Sequence, residues 1–325
     1  MIRAVRVHQY GGPEVLALDE LPMPQLGPGQ LLVEVKAAGV NFFDTQLRSG
    51  LYRFAPLPIS LGNEGAGIVR GIGPDVEGFS EGDRVGWMLS AGSYATHALV
   101  NAARTVKLPE GLSERDAAAG LFQGATAHYL AHSAYAVRPG DICLVHSAAG
   151  GVGLLLCQMA TMRGARVIGT TSNHAKAEVA RQAGAADVIV TATQDIREEC
   201  RRITGGRGVD VVYDAVGRDT FEASLASLKR RGSLVLYGEA SGLVPPMDVR
   251  SLLFQGSVHL TRTGLDHYLA TQEEFEWRAN DVLNWIADGR LRLHVSHALP
   301  LAEVSQAHQL LEGRSSVGKV ILLAG

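Results

Sequence analysis

Two patterns of apolar and polar positions divide this chain. Up to about residue 123, short stretches of alternating apolar and polar residues are separated by glycine and proline, which is typical of half-buried β-strands joined by turns. The predicted strands in this part are residues 4–7, 31–37, 66–69, 84–88 and 93–100. Few helices are predicted among them, and we therefore expect a partly open antiparallel β-barrel. The alanine-rich residues 115–136 then predict helices that lead into a second domain.

From residue 142 onward, apolar runs of strand length alternate regularly with helical stretches such as residues 195–203 and 219–230. The predicted strands are residues 142–147, 165–170, 187–191, 209–214, 233–238 and 257–261. Because right-handed crossovers place helices on both faces of such a sheet, the pattern predicts an α/β domain with a doubly wound, parallel, six-stranded sheet.

The last stretch departs from this alternation. It predicts helices at residues 275–289 and 303–312 and a closing strand at residues 319–323. A terminal strand needs a sheet to join, and the open barrel of the first domain is the natural host. We therefore expect a first domain of residues 1–123 completed by residues 263–325, and a second domain of residues 124–262.

Composition and charge exclude several classes of function. The net charge is −3, with 30 basic and 33 acidic residues, so a polycationic surface for nucleic acid is not expected. No apolar run approaches the roughly 20 residues that span a bilayer, and the amino terminus begins directly as a strand, so no membrane association is expected. Cys143, Cys157 and Cys200 are widely spaced, which favours neither disulfides nor a zinc lobe and fits a reducing cytoplasm.

The motif A-x-G-x-x-G at residues 148–153 lies between a predicted strand and a predicted helix. This context is the one that a dinucleotide-binding turn requires. Gly150 would let the backbone approach a pyrophosphate, and Gly153 would let the helix sit close to the strand. The N–H groups at the start of the helix, around Gly151 and Val152, would face the anion.

The loop after the second predicted strand indicates which dinucleotide is bound. NAD-binding domains usually carry an acidic residue there, which holds the ribose 2′-hydroxyl. This chain has Ser172, Asn173 and Lys176 instead, with no carboxylate before Glu178. A lysine and small polar groups suit a 2′-phosphate, so NADPH is the expected cofactor. The alternative for Lys176 is a solvated position on the helix.

Motifs spread over nearly the whole chain resemble the zinc-independent quinone oxidoreductases of the medium-chain dehydrogenase/reductase superfamily, the group that includes zeta-crystallin. They are YGGPEVL, GVNFFD, RSGLY, LGNEGAGIV, GDRV, QGATAHYL, AAGGVG, VVYDAVG, RRGSLVLYG and LTR. The resemblance implies a GroES-like catalytic domain, an NADPH-binding Rossmann domain and a homodimer.

The residues at the zinc positions of the superfamily argue against a metal. Zinc-dependent relatives carry a cysteine in the GVN-like segment and a histidine before the glutamate of the LGNE-like segment, where this chain has Asn41 and Asn63. An amide is a poor replacement for thiolate or imidazole. His128 and His132 share helical i, i+4 spacing, but no third ligand is near in sequence, so ordinary helix or interface histidines are the preferred interpretation.

By the resemblance, two loops of the first domain flank the nicotinamide and carry Asn41 and Tyr52. An amide N–H or a phenolic O–H there could polarise a carbonyl; the alternatives are a loop cap for Asn41 and a packing role for Tyr52. Asp44 and Glu64 are expected to support these loops by hydrogen bonding.

The resemblance also implies a set of cofactor contacts outside the glycine turn. They are Asn41 and Phe42 in the first domain, and Thr126, Tyr237 and Gly238 in the second. Arg314 resembles a family arginine that approaches the cofactor, and its alternative is a surface position. Thr191 stands where the family often has a tyrosine beside the phosphate.

The expected function is hydride transfer from NADPH to a quinone without a metal. Reduction of an activated carbon–carbon double bond in an enone, alkenal or enoyl thioester uses the same chemistry and remains open. A third alternative is an NADPH-binding protein with little turnover, crystallin-like or nucleic-acid-binding.

Overall fold

The computed structural model describes residues 1–324. The described residues form sixteen strands and nine α-helices. The strands are β1 (Ile2–Val7), β2 (Leu16–Leu21), β3 (Gln30–Val40), β4 (Ile59–Ser60), β5 (Glu64–Ile72), β6 (Arg84–Met88), β7 (His97–Asn101), β8 (Thr105–Lys107), β9 (Ile142–Val145), β10 (Arg166–Thr171), β11 (Ala185–Val190), β12 (Val209–Asp214), β13 (Leu228–Leu236), β14 (His259–Arg262), β15 (Val295–Pro300) and β16 (Lys319–Leu323).

The helices alternate with these strands from the middle of the chain onward. They are α1 (Phe42–Ser49), α2 (Glu114–Tyr129), α3 (Gly151–Met162), α4 (His174–Gln182), α5 (Ile196–Ile203), α6 (Phe221–Ser227), α7 (Arg250–Phe254), α8 (Gln272–Ala287) and α9 (Val304–Glu312). A π-helical turn, Leu130–Ala134, continues α2.

The chain divides into two compact units. One consists of residues 1–123 and 271–325, and the other of residues 124–270. The chain leaves the second unit after Ala270, whereas the sequence predicted this boundary after residue 262. The reason is visible around Tyr129 of the second unit, whose hydroxyl lies 3.0 Å from Thr263 Oγ1 and whose ring stacks on Tyr268. These contacts hold residues 263–270 to the second unit.

The second unit contains the predicted parallel six-stranded sheet, which is confirmed. Its strand order is β11-β10-β9-β12-β13-β14, so the order reverses between β9 and β12. Every residue of β12 is buried, as expected for a strand with helices on both faces. Ligands of such sheets bind outside the carboxyl ends of the strands, at the point of reversal.

The first unit is built around β3. Along one edge β3 pairs with β5. Along the other edge it pairs with β7 near the start of β3 and with β16 near the end of β3. The seven-stranded sheet that results is mostly antiparallel, except that β15 and β16 run parallel. The closing strand β16 therefore joins the sheet of the first unit, as predicted from the sequence.

Two apolar clusters fill this unit. One packs around Trp87 and the β3 valines Val33 and Val35. The other lies where β16 meets α9 and includes Val320, Leu322 and Val304. They anchor the two strands, β3 and β16, that carry residues of the site described below.

The segment after β3 differs from the expected loop. Residues 42–49 form α1, whose N-cap is Asn41 and whose C-cap is Gly50, a glycine in the left-handed region with φ of 79°. The predicted strand at residues 93–100 is also shorter, since β7 begins only at His97. Asn41 is therefore held at a helix start, a more rigid position than a loop.

Candidate active site

The glycine turn of the second unit connects β9 to α3. Ala148 donates its backbone N–H to the Thr170 carbonyl at 3.0 Å, and Gly150 donates to the Ser147 carbonyl at 2.8 Å. A Cβ on Gly153 would lie 2.3 Å from the Ser147 carbonyl oxygen and 2.8 Å from Ala148 Cα. Glycine at 153 is therefore required for the close approach of α3 to the strand that precedes it.

The start of α3 has the properties of an anion site. Its N-cap is Gly150, and no side chain caps the helix. By contrast, Asn173 caps α4 and Asp195 caps α5 through their side-chain oxygens. The first N–H groups of α3, around Gly151 and Val152, are thus left for a bound group, and the helix dipole favours a negative one. This cradle fits the pyrophosphate of a dinucleotide.

The loop that follows β10 holds three of the predicted cofactor residues. Asn173 uses its Oδ1 to accept the backbone N–H of Lys176 at 2.9 Å, so that oxygen serves as the cap of α4. Ser172 is exposed, and Lys176 is half-buried at the first turn of α4. Thr191 fastens the loop by donating its N–H and hydroxyl to the Thr171 carbonyl. Only basic and neutral side chains are present in this loop.

The carboxyl ends of β12 and β13 place Tyr237 and Gly238 together. Both donate their backbone N–H groups to the Asp214 carbonyl, at 2.9 and 3.3 Å. A Cβ on Gly238 would lie 2.6 Å from the Ala215 carbonyl oxygen, so the two strand ends are in close contact. Burial raises the pKa of the half-buried Tyr237, which keeps its phenol neutral. Thr126, on α2, is buried.

A buried polar network supports this edge of the sheet. Asp214 accepts hydrogen bonds from the backbone N–H groups of Val216 and Gly217 and from the hydroxyls of Thr220 and Ser224. Ser224 lies 2.9 Å from His146 Nε2. Burial lowers the pKa of His146, so this histidine is a neutral partner. Asp214 is therefore structural, in agreement with its position at the end of an inner strand.

In the first unit, Asn41 lies at the centre of a second buried network. Its Nδ2 donates to Glu64 Oε1 at 2.7 Å, and its Oδ1 accepts from Lys319 Nζ at 2.9 Å. Gln123 Nε2 also approaches Oδ1, at 3.3 Å. Lys319 forms a salt bridge with the same Glu64 oxygen, and both side chains are buried.

The remaining side-chain oxygens of Glu64 and Gln123 differ in their hydrogen bonding. The other Glu64 oxygen accepts the Phe122 backbone N–H at 2.9 Å. Gln123 Oε1 is buried without a hydrogen-bond partner in the part of the chain that the structure describes. An orphaned acceptor beside Asn41 is what a site for a bound polar molecule would show.

Asp44 stabilises the start of α1 through three hydrogen bonds. It accepts hydrogen bonds from the Asn41 backbone N–H at 2.9 Å, from Asn63 Nδ2 at 2.9 Å and from the Tyr94 hydroxyl at 2.9 Å. Complete burial raises the pKa of Asp44 to about 6, although these three donors oppose the shift. The pKa of Tyr94 is raised by burial and by the adjacent Asp44. Asp44 and Glu64 thus act as the expected supports.

The other predicted residues of the first unit lie outside this network. Tyr52 follows α1 and packs in an aromatic cluster, with ring centroids 6.1 Å from Phe43 and 5.9 Å from Phe54, the latter stacked. Phe42, the first residue of α1, is half-buried. Arg314 is exposed on the turn between α9 and β16, with φ of 54°.

Comparison with known proteins assigns both parts of the chain to one family. Residues 27–137 match the model of the alcohol dehydrogenase GroES-like domain, and residues 151–283 match that of the zinc-binding dehydrogenase. The chain belongs to the quinone oxidoreductases of the medium-chain dehydrogenase/reductase superfamily.

Individual relatives agree over the full length. Quinone oxidoreductase 1 of Escherichia coli is 40% identical over 326 residues, covering 99% of this chain and 100% of the relative. A 2-haloacrylate reductase of a Burkholderia species is also 40% identical, covering 99% of each chain. The crystal structure of an E. coli quinone oxidoreductase complexed with NADPH has a TM-score of 0.97 and 40% identity, again covering 99% of each chain.

The zinc that one family model is named for does not fit the residues found here. Asn41 and Asn63 supply amides where thiolate and imidazole would be needed. The one carboxylate of the set, Glu64, is already paired with the Lys319 ammonium, and a second cation there would be repelled. Within residues 1–324, no group of three or more histidine, cysteine, aspartate or glutamate side chains is arranged to hold a metal ion.

Lys319 and Gln123 were missed by the sequence interpretation. Gln123 was noted only as the start of a motif. For Lys319 a signal existed, because it opens an otherwise apolar strand, KVILL, whose first four residues are all buried. A lysine at a buried strand position needs a partner, and the search for one leads to Glu64.

Proposed function

We propose that this chain is an NADPH-dependent quinone reductase that works without a metal. The observation that carries the proposal is the uncapped start of α3 followed by a carboxylate-free loop, in a chain 40% identical over its length to a quinone oxidoreductase. The same fold with NADPH bound in the E. coli structure supports the choice of cofactor.

The second unit would hold the cofactor. The N–H groups of Gly151 and Val152 would bind the pyrophosphate, and Lys176 with Ser172 would bind the 2′-phosphate. Asn173 would contribute only its amide N–H groups or backbone, because its Oδ1 caps α4. Tyr237, Gly238 and Thr126 would line the nicotinamide end.

The first unit would act on the substrate. NADPH supplies the hydride, and the oxygen of the acceptor then becomes negative and needs a hydrogen-bond donor. Asn41 has two amide N–H groups, of which Glu64 accepts one. The other would donate to the substrate oxygen. Tyr52, Phe43 and Phe54 would offer aromatic surface to a flat quinone, while Phe42 and Arg314 would touch the cofactor.

The functional division of the chain follows from these roles. We propose a catalytic domain of residues 1–123 and 271–325 and a cofactor domain of residues 124–270, in line with the two compact units.

A second candidate reaction is reduction of an activated carbon–carbon double bond. It is favoured by the 2-haloacrylate reductase, which is as similar to this chain as the quinone oxidoreductase is. The same hydride donor and the same amide would serve both reactions, so the substrate loops around residues 53–58 and 263–268 would decide between them.

A panel of acceptors tests the proposal. NADPH oxidation is followed with ortho- and para-quinones, enones and enoyl thioesters, and NADH is tested in parallel. Turnover of quinones at higher kcat/KM than enones supports the proposal. Turnover confined to enones or enoyl thioesters overturns it in favour of double-bond reduction. Tight NADPH binding without turnover would identify a binding protein.

We further propose that the chain forms a homodimer through the edge of its parallel sheet. β14 has a sheet neighbour on one side only within the described residues, and an open edge offers unpaired backbone groups. Four large apolar side chains of the preceding segment are exposed: Leu243, Val249, Leu253 and Phe254. A second copy of the chain would cover both features.

A cytoplasmic location is proposed from the cysteines. Cys143, Cys157 and Cys200 are all free and buried, and burial raises their pKa values, as suits thiols in a reducing compartment. No helix among the described residues is both long and apolar enough to cross a membrane. Cell fractionation with an antibody against the protein would test the location.

A further inference from the structure

We propose that Lys319 is a positioning residue, whose ammonium fixes the carboxamide of Asn41 so that one amide N–H is presented to the substrate oxygen. The proposal rests on the quinone reductase function above and adds to it a residue that acts through Asn41. Lys319 lies 278 residues after Asn41 and is brought to it by the pairing of β16 with β3.

The neighbours of Asn41 fix the orientation of its side-chain amide. An asparagine side chain can rotate by half a turn, which exchanges its oxygen with its nitrogen. Here Oδ1 faces the Lys319 ammonium and Nδ2 faces the Glu64 carboxylate. The reverse orientation would place the NH₂ group against the ammonium and the oxygen against the carboxylate. The ion pair therefore allows only one orientation of Asn41.

The Asn41 amide also has more hydrogen-bond donors than its neighbours accept. The amide nitrogen of Asn41 carries two N–H groups, and its one hydrogen-bond acceptor in the described structure is Glu64 Oε1. One N–H consequently remains for a ligand. If the amide were reversed, an acceptor would stand in place of this donor, and it would repel the oxygen on which negative charge develops.

The ion pair between Lys319 and Glu64 is buried. The Lys319 and Glu64 side chains are 3% and 0% exposed. Glu64 is also held by the Phe122 N–H, and its carboxylate lies directly against Gly39, where a Cβ would be 2.1 Å from Oε1. Burial makes the electrostatic preference stronger than it would be in water.

Lys319→Met is the direct test. It keeps an unbranched side chain, one atom shorter, and removes the charge, so Asn41 Oδ1 keeps only the longer contact from Gln123 Nε2. We expect kcat with a quinone to fall about 100-fold, as for a misplaced catalytic group, with little change in the KM for NADPH. Lys319→Arg, which keeps the charge, should restore part of the activity. Lys36→Met, which breaks a lysine–glutamate pair on the exposed face of β3, is the matched control and should retain full activity.

Two further variants separate positioning from folding. Lys319→Met leaves Glu64 buried and unpaired, which is destabilising, whereas Glu64→Gln with Lys319→Met removes both charges and should fold. In an Asn41→Ala background, adding Lys319→Met should change kcat by at most about twofold, because the group that it positions is gone. A loss of the same size in both backgrounds would overturn the proposal.

A readout without turnover keeps this test independent of the reaction. The chain has six asparagines, so asparagine-selective ¹⁵N labelling resolves the side-chain amide of Asn41, assigned with Asn41→Ala. In the wild type we expect two separate Nδ2 proton signals, one of them protected from exchange by Glu64. The double variant is compared with Glu64→Gln alone, so that the loss of the carboxylate is common to both proteins, and the added Lys319→Met should then shift both signals further. Unchanged signals would overturn the role of Lys319, whereas failure of the wild type to reduce quinones would overturn only the proposed reaction.

Discussion

At the scale of single residues, Lys176 is proposed to select NADPH over NADH. We expect Lys176→Ala to weaken NADPH use by roughly 10- to 100-fold, since a charge-assisted hydrogen bond to a phosphate contributes about 1.5–3 kcal/mol. NADH lacks the 2′-phosphate, so its use should hardly change. Steady-state kcat/KM values for both cofactors measure the effect.

Arg181→Ala is the control for this prediction. Arg181 lies on the same helix, α4, and forms an exposed ion pair with Glu178, so its removal takes one positive charge from the same element. It should leave the ratio of NADPH to NADH use unchanged. Equal losses with both cofactors for Lys176→Ala would show that the lysine does not bind the 2′-phosphate.

Asp44 makes the stability of the protein depend on pH. Burial raises its pKa from 3.8 to about 6 in the folded state, so the folded protein holds this proton more tightly than the unfolded chain. The free energy of unfolding should therefore fall as the pH rises from about 4 to about 6, by on the order of 3 kcal/mol from this group.

Comparison with Asp44→Asn isolates that contribution, because all other groups titrate in both proteins. Urea unfolding at pH 4.5 and pH 7 should show the variant losing less stability than the wild type over this interval. If the difference between the two proteins is the same at both pH values, the raised pKa is wrong.

Single residues of the buried network could be picked out from the sequence where a motif carries them. Asn41, Asp44 and Glu64 stand in recognisable segments, and their supporting or central places in the network follow from polar side chains that must be satisfied when buried. Lys319 could not be placed in the same way, because its partners lie 278 and 255 residues away and the pairing is made only by the sheet.

At the scale of elements, the turn between β9 and α3 contains two glycines with different structural roles. Gly153→Ala would place a methyl group 2.3 Å from the Ser147 carbonyl, so α3 must move away from β9, and we expect a stability loss of about 1–3 kcal/mol. Gly150→Ala meets its first neighbour at 3.2 Å with φ of −79°, so the fold should persist. Thermal unfolding of both variants measures the contrast.

The same two variants should differ in NADPH binding as well as in stability, and Gly150→Ala should be the one with weakened binding. The methyl group of Gly150→Ala lies at the uncapped helix start, where it would crowd a bound pyrophosphate, so we expect weaker NADPH binding at nearly unchanged stability. Titration of NADPH fluorescence gives the dissociation constant. If Gly150→Ala binds NADPH as the wild type does, the start of α3 is not the phosphate site.

The elements that the sequence predicted best are those with long, regular patterns. The six parallel strands were found because their apolar runs recur between helices. Helix α1 was missed, since its eight residues, FFDTQLRS, contain only one apolar pair at helical spacing, Phe43 and Leu47. It is stabilised by Asp44 at its start and Gly50 at its end, and both features are too local to outweigh the surrounding strand pattern.

At the scale of the whole molecule, the proposed dimer can be tested on its exposed apolar segment. Leu253 and Phe254 are 64% and 83% exposed, and glutamate at both positions would place charges in an apolar interface. We expect Leu253→Glu/Phe254→Glu to convert a dimer into a monomer in sedimentation velocity. Met162→Glu, at an exposed apolar residue on α3, should remain dimeric, and a double variant that also stays dimeric would exclude this surface.

The boundary between the two units near residue 123 was predictable from the change in sequence pattern, but the boundary after residue 270 was not. Residues 263–270 carry no strong pattern, and their place in the second unit depends on the contacts of Tyr129 with Thr263 and Tyr268. Such contacts between distant residues leave no trace in local periodicity. The return of β16 to the first sheet was predicted because a buried strand must find a partner.

The whole molecule is expected to reduce quinones with NADPH and without a metal. The most direct test is the initial rate of NADPH oxidation with a para-quinone after exhaustive dialysis against 1,10-phenanthroline. We expect a rate equal to that of the untreated enzyme, because Asn41, Glu64 and Lys319 form a network without thiolate or imidazole ligands for zinc. A rate that falls on chelation and returns with added Zn²⁺ would contradict it.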